Sequence, residues 1–302
     1  MAYIKDTYEL GEYMAYEYKF VGRNGAKGEK REKRRKATPE QMARQNQWTR
    51  QKKMTYTIRA NFKSGDSWIT LKYPRGTKPD PEMMKKHWKS FSDKLREYYK
   101  KNGHVLKFIL RMEIGKNGGP HMHLLVNHID NIDQVIKDIW NQTISKIRVP
   151  GKNYVYIAPF DEEGAEDVAK YLVELPKNKQ CEGQLNMFGE EERKLLCKTS
   201  SSRNLIRPCA DRKKYVHWTM RKILSDGIKP TPGYYVLKDS VKCGINRITG
   251  YSYLYYTEKR LGKNVPDPGE IVKVRKEPED EVSAGKEKRV QPKGEKADMG
   301  KR

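Results

Sequence analysis

Apolar and polar positions alternate with a readable period mainly between residues 61 and 176. SWITLKY, residues 67–73, alternates and is rich in β-formers, which predicts a strand. Pro79 and Pro81 break the chain, and MMKKHWKSFSDKLREYY, 83–99, then places Met84, Trp88, Phe91, Leu95 and Tyr98 at helical spacing. KFILRMEI, 107–114, reads as a second strand, GKNGGP as a turn, and HMHLLVN, 121–127, as the returning strand. IDQVIKDIW, 132–140, puts Ile132, Val135, Ile136, Ile139 and Trp140 on one helical face. NYVYIAPF, 153–160, is a fourth strand, and EGAEDVAKYLVEL, 163–175, a helix that Pro176 ends. Strand, helix, strand, strand, helix, strand, helix predicts an α+β fold. The expected form is a central antiparallel sheet of split βαβ, RRM-like topology, with helices packed mainly on one face.

The flanks carry weaker patterns. RNGAKGEKREKRRK, 23–36, is nearly all charged, Gly or Ala and reads as a solvated basic arm. Thr38 before Pro39 is a helix start signal for PEQMARQNQWTRQKK, 39–53, a helix with a wet face. Residues 178–204 read as a polar excursion, 211–224 as a helix, and 233–256, rich in Tyr, Gly and Val, as a small β extension. Beyond Gly262 the charged, Pro-rich composition predicts disorder. The expected organisation is an arm and helix over 1–60, a core over 61–210, a helix and β extension over 211–262, and a tail over 263–302.

Composition adds a partner class. In 302 residues, 63 Lys+Arg stand against 39 Asp+Glu, a formal net charge of +24. Such an excess opposes compaction and favours a polyanion, either nucleic acid or an anionic membrane surface. No run of 18 apolar residues exists, and the N-terminus lacks a basic-then-apolar signal layout, so the expected location is the cytoplasm. Cys181, Cys197, Cys209 and Cys243 form no CxxC pair, which disfavours a zinc ribbon and implies no disulfides.

Candidate chemistry sits in EIGKNGGPHMHLLVN, 113–127. Strand side chains alternate across a sheet, so His121 and His123 share one face, and Met122, Leu124 and Val126 share the other. If the hairpin pairs apolar with apolar, Glu113 faces the side of both histidines. One carboxylate and two imidazoles can hold a divalent metal with open positions. Mixed ligation of this kind suits Mn²⁺, Mg²⁺ or Zn²⁺, and the open positions suit a substrate phosphate. The plain alternative is a pair of surface histidines beside a turn. His87, His104, His128 and His217 lack such company and read as structural or exposed. On the last helix Tyr171 falls in a stripe with Val168, Leu172 and Leu175, which by itself suggests core. Beside a metal-held phosphodiester, a phenolate there becomes a sensible nucleophile.

SWITLKY, GGPHMHLLV and DVAKYLVELPK, in this order, resemble the three motifs of the HUH-superfamily single-stranded DNA endonucleases, above all rolling-circle replication initiators of the gene II type. TPEQMARQNQWTRQKK, NFKSGD, SSSRNLIRP and INRITGYSYLYY are also similar to that group, so the resemblance spans about residues 38–256. It implies a divalent metal, Mg²⁺ or Mn²⁺, on His121 and His123 with Glu113 as third ligand. It also implies Tyr171 as the nucleophile that cleaves single-stranded origin DNA, leaving a 5′-phosphotyrosine and a 3′-OH for a polymerase. With Leu175 one turn on, the pattern is of the single-tyrosine type. The family places Lys three residues after the tyrosine, where this chain has Glu174. Lys177 folding back, Arg203, or Glu174 acting on the metal are the three ways to reconcile this.

Single strands are held by basic grooves and stacking aromatics. Candidates are Trp68, Lys72, Tyr73, Lys107, Arg111, Arg203 and Arg207, with the arm adding salt-dependent affinity. No GxxxxGK[ST] pattern occurs, so a host helicase is the expected partner for unwinding. Competing readings are a non-catalytic nucleic-acid-binding protein on the same fold, supported by Glu174, and a transposase or relaxase. An RNA-binding module is disfavoured by the lack of an RNP-type aromatic run.

Overall fold

The first two strands form a hairpin, β1 (Tyr3–Leu10) and β2 (Tyr13–Phe20), because Gly11 turns the chain at φ 73° between them. The computed structural model describes residues 3–20, 36–77, 79–114, 119–174, 197–215, 223, 225–246, 251–262 and 271–274. The order then runs α1 (Pro39–Asn61), β3 (Ser67–Lys72), α2 (Pro81–Lys101), β4 (Phe108–Ile114), β5 (Pro120–Val126), α3 (Ile132–Thr143), β6 (Val155–Pro159) and α4 (Ala165–Val173). β7 (Cys197–Ser201), β8 (Asp211–Tyr215), β9 (Tyr234–Val236), β10 (Lys242–Asn246) and β11 (Tyr251–Arg260) follow.

The fold is α+β with two antiparallel sheets. The central sheet has the order β6-β3-β5-β4-β7. One face, Ile69, Leu71, Leu110, Met122, Leu124 and Val126, packs on Phe91, Leu95 and Tyr99 of α2 and Ile136 and Trp140 of α3. The other face carries apolar side chains at one end only. Ile109 and Leu125 there are covered by Ile58 of α1 and Ala165, Ala169 and Leu172 of α4. Helices therefore lie on both faces rather than mainly on one. The cause is the burial requirement of Ile109, Leu125 and Trp68, which share a face with polar neighbours.

The second sheet has the order β10-β11-β2-β1-β8, with β9 on β11. Residues 1–60 and 211–262, expected to be separate flanks, thus share one sheet, for Tyr18 pairs with Leu254 and Tyr3 with Tyr215. The expected helix at 211–224 begins as strand β8, because Arg212 reaches across to the buried Asp6 of β1 at 2.7 Å. The excursion at 178–204 contains the edge strand β7, and residues 271–274, placed in the expected tail, bridge back through Val272 to Ile228. Most of the arm and tail lie outside the described residues, as do Leu175 and Lys177.

α1 joins the two sheets. Thr38 caps it with a reciprocal box to Gln41, and Pro39 occupies its first turn. One side lies on the second sheet: Lys52 meets Glu17 at 2.6 Å, the Tyr56 hydroxyl donates to Glu17 at 3.0 Å, and Trp48 packs on Tyr255. The other side holds α4, where Gln47 Nε2 donates to the Val173 carbonyl at 2.9 Å. No described helix is long and apolar enough to cross a membrane.

Candidate active site and metal centre

Register places the site. Arg111, His123, Thr70 and Tyr156 form one cross-strand row, and Glu113, His121 and Lys72 the next. All seven point to the partly covered face, as strand alternation requires. α4 crosses over this face and brings in Tyr171.

Four groups converge. The Tyr171 hydroxyl donates to Glu113 Oε1. His121 Nε2 lies 3.0 Å and His123 Nε2 3.5 Å from the same oxygen. Arg111, only 4% exposed, gives its Nε to Glu113 Oε2 at 2.5 Å and its Nη1 to the Tyr171 carbonyl. Its guanidinium carbon stands 5.0 Å from the centre of the Tyr171 ring. Burial opposes ionisation of Glu113. The His121 and His123 imidazoles, the Tyr171 hydroxyl and Arg111 outweigh it and hold the carboxyl well below the usual carboxylate range. Burial also lowers the pKa of His123, with Glu113 pulling the other way, which favours a neutral ring.

The donor set fits a metal ion on three counts. First, one nitrogen or oxygen from each of Glu113, His121 and His123 lies within 4.8 Å of the others. Second, the outer nitrogens are already engaged. His121 Nδ1 is 3.0 Å from the Gly119 carbonyl, and His123 Nδ1 3.1 Å from the Thr70 hydroxyl. A carbonyl can only accept, so His121 Nδ1 carries hydrogen and a neutral ring turns its bare Nε2 toward a carboxylate oxygen. Two acceptors at that distance require a cation between them, a proton or a metal. Third, His123 Nε2 is buried without a hydrogen-bond partner among the described residues. A buried imidazole nitrogen aimed at a carboxylate is what a ligand looks like without its ion.

The remaining candidates separate. Trp68 stacks on His123, with ring centres 5.6 Å apart and planes 13° from parallel, and meets Tyr171 edge-on. Lys72 is exposed beside the triad, its Nζ 4.2 Å from the Tyr156 ring centre. Tyr73 is buried on the opposite face against Trp140, away from the site. Its position one residue after Lys72 forces this, because neighbours on a strand face opposite ways. Arg111, expected among the DNA contacts, is instead enclosed beneath Tyr171. Lys107 shares the site face at its far end, and Arg203 and Arg207 are exposed in the turn after β7. Glu174 caps the C-terminus of α4, its N–H donating to the Lys170 carbonyl at 2.9 Å, and lies outside the ligand cluster. Sequence reasoning misses Thr70 and Tyr156. The alternation of SWITLKY puts Thr70 beside Trp68, and that of NYVYIAPF exposes Tyr156, so both signals were present.

Residues 66–175, which span β3 to α4 and every group of the site, match the family model described as replication-associated protein, of the ORF2 and gene 2 protein type. No curated protein and no solved structure matches the chain.

Proposed function

We propose that this chain, which carries a replication-associated protein segment in residues 66–175, initiates rolling-circle replication by nicking and rejoining single-stranded origin DNA through Tyr171. The observation that carries the reading is the meeting of the Tyr171 hydroxyl with the Glu113, His121 and His123 donor set. A divalent ion bound there, Mg²⁺ or Mn²⁺, supplies Lewis-acid stabilisation of charge on the non-bridging phosphate oxygens. Tyr171 Oη attacks phosphorus in line. The new O–P bond makes a 5′-phosphotyrosine, the bond to the 3′ oxygen breaks, and that oxygen takes a proton to become a 3′-OH. The phenol proton leaves along the hydrogen bond to Glu113 Oε1. Rejoining is the same exchange reversed, with a 3′-OH as nucleophile.

Arg111 fits the place of the missing family lysine. Glu174 stands at that sequence position, but the Arg111 guanidinium lies against the Tyr171 ring and supplies positive charge to a developing phenolate. It also ties the nucleophile's backbone to the ligand Glu113, so both keep one geometry. A host helicase and polymerase complete the cycle.

The test is a covalent-adduct assay. Labelled single-stranded DNA from beside the gene is mixed with the protein in Mn²⁺ or in EDTA and run on a denaturing gel. A metal-dependent shifted band, lost in Tyr171→Phe, is expected. A band that survives in Tyr171→Phe moves the nucleophile to another residue. Tight binding with no band from any fragment favours the second reading, a non-catalytic DNA-binding protein, to which Glu174 lends its weight.

A further inference from the structure

β6 is an edge strand of the central sheet, paired only with β3. Its Val155 and Ile157 turn to the core under α2 and α3. Tyr156 and Ala158 turn to the site face, and both are exposed there. Tyr156 is 52% exposed, and it is the one aromatic among the exposed large apolar side chains of the described residues. Single exposed apolar side chains are common and need no function. This one has three properties that an accidental one lacks.

The first is position. Tyr156 pairs with Thr70, and Thr70 with the ligand His123, so the ring stands two strands from the metal triad, about 10 Å at ~4.8 Å per strand. The second is charge. Lys72 Nζ covers one ring face at 4.2 Å, and the loop leading into β6 exposes Lys146, Arg148 and Lys152 at the same end of the sheet. The third is space, for the flanking Thr70 and Ala158 are small. A large aromatic with a cation on one face and open space on the other suits a flat, polyanion-borne ring.

We propose that Tyr156 and Lys72 form a nucleobase subsite beside the metal centre: one unpaired base of a DNA strand stacks on the open face of Tyr156, and the adjoining phosphate lies against Lys72. The subsite rests on the single-stranded DNA reading above and adds the residue that holds a base near the scissile phosphate. Trp68 does not take this part, since its ring is already stacked on His123. Stacking of this kind tolerates any base and contributes to strand affinity in proportion to base contact.

The test separates bases from phosphates and needs no cleavage. Affinities are measured in EDTA for an oligo-dT strand and for an abasic strand of equal length. The wild-type chain is expected to prefer dT. Tyr156→Ala is expected to lose about fivefold or more of dT affinity while abasic affinity stays within about twofold. Tyr156→Phe keeps the preference, which separates stacking from misfolding. Lys72→Gln weakens both strands alike. An unchanged dT-to-abasic ratio in Tyr156→Ala overturns the subsite and leaves the nicking reading standing, provided the adduct still forms. A wild-type chain that binds neither strand overturns both.

Discussion

At the scale of single residues the site is a set of side chains whose hydrogen bonds fix what each can do. Glu113, His121 and His123 are legible from alternation, because a period of two is all that is needed to put them on one face. Tyr171 is legible only by resemblance, since its own stripe with Val168 and Leu172 reads as core. Arg111 reads as a DNA contact from sequence because its parity is right. What covers a strand is set by a distant helix, which no strand pattern records. The hydrogen bonds around the ligands can be tested one at a time. Thr70→Val keeps the strand shape but removes the oxygen beside His123 Nδ1. Divalent-metal affinity, measured by titration calorimetry with Mn²⁺, is expected to fall about 10- to 100-fold with no change in fold. An unchanged affinity means that the hydroxyl does not orient the ring. Arg111→Lys keeps charge but loses the fork that joins Glu113 to the Tyr171 carbonyl. The adduct is expected to form about tenfold or more slowly, equivalent to ~1.4 kcal/mol of barrier, while strand affinity stays constant. Loss of strand affinity instead would restore Arg111 as a DNA contact.

At the scale of elements, helices and strands with one clean apolar face are readable, and those whose buried face is polar are not. The helices α2 and α3 and the strands β3 to β6 appear near their expected bounds. The hairpin β1–β2 escapes the sequence pattern because its inward positions include Asp6, Glu17 and Lys19, paired with one another or with α1 and β8. Gly11 between two aromatic-rich runs was the available signal. Asp6 binds three strands: its carboxylate takes Arg212 of β8 at 2.7 and 2.9 Å and Lys19 of β2 at 3.2 Å. Burial opposes its ionisation, but Arg212 and Lys19 prevail and hold its pKa below the ordinary value. A depressed carboxylate stabilises the fold above the unfolded pKa of about 3.9, and this contribution is lost as pH falls through the folded value. Urea midpoints for the wild type and Asp6→Asn are therefore expected to differ clearly at pH 7 and to converge below pH ~3. A gap that persists undiminished into acid would show that the pair contributes by packing and not by charge.

At the scale of the whole molecule, the two sheets share one helix, and the N-terminal hairpin closes with the C-terminal strands. Local patterns cannot show this, because Tyr3 meets Tyr215 and Tyr18 meets Leu254 only in the folded chain. The division expected from composition draws boundaries where the charge changes, whereas the sheet is built across them. The charge itself belongs to this scale. A net +24 surrounds a site whose ligands carry one carboxylate, so the field favours a polyanion before any base is touched. Each phosphate neutralised on a single strand releases counterion and steepens the fall of log K with log salt by about 0.7. The arm contributes Lys30, Arg31, Lys33, Arg34, Arg35 and Lys36, in a segment that lies, apart from Lys36, outside the described residues. Replacing these six by Gln or Ser is expected to shallow the slope for an oligo-dT strand by about 0.7 for every phosphate the arm holds. The preference for dT over an abasic strand should not change, because it arises on the sheet. A slope equal to that of the wild type would mean that the arm serves another partner and that the strand is held by the folded surface alone.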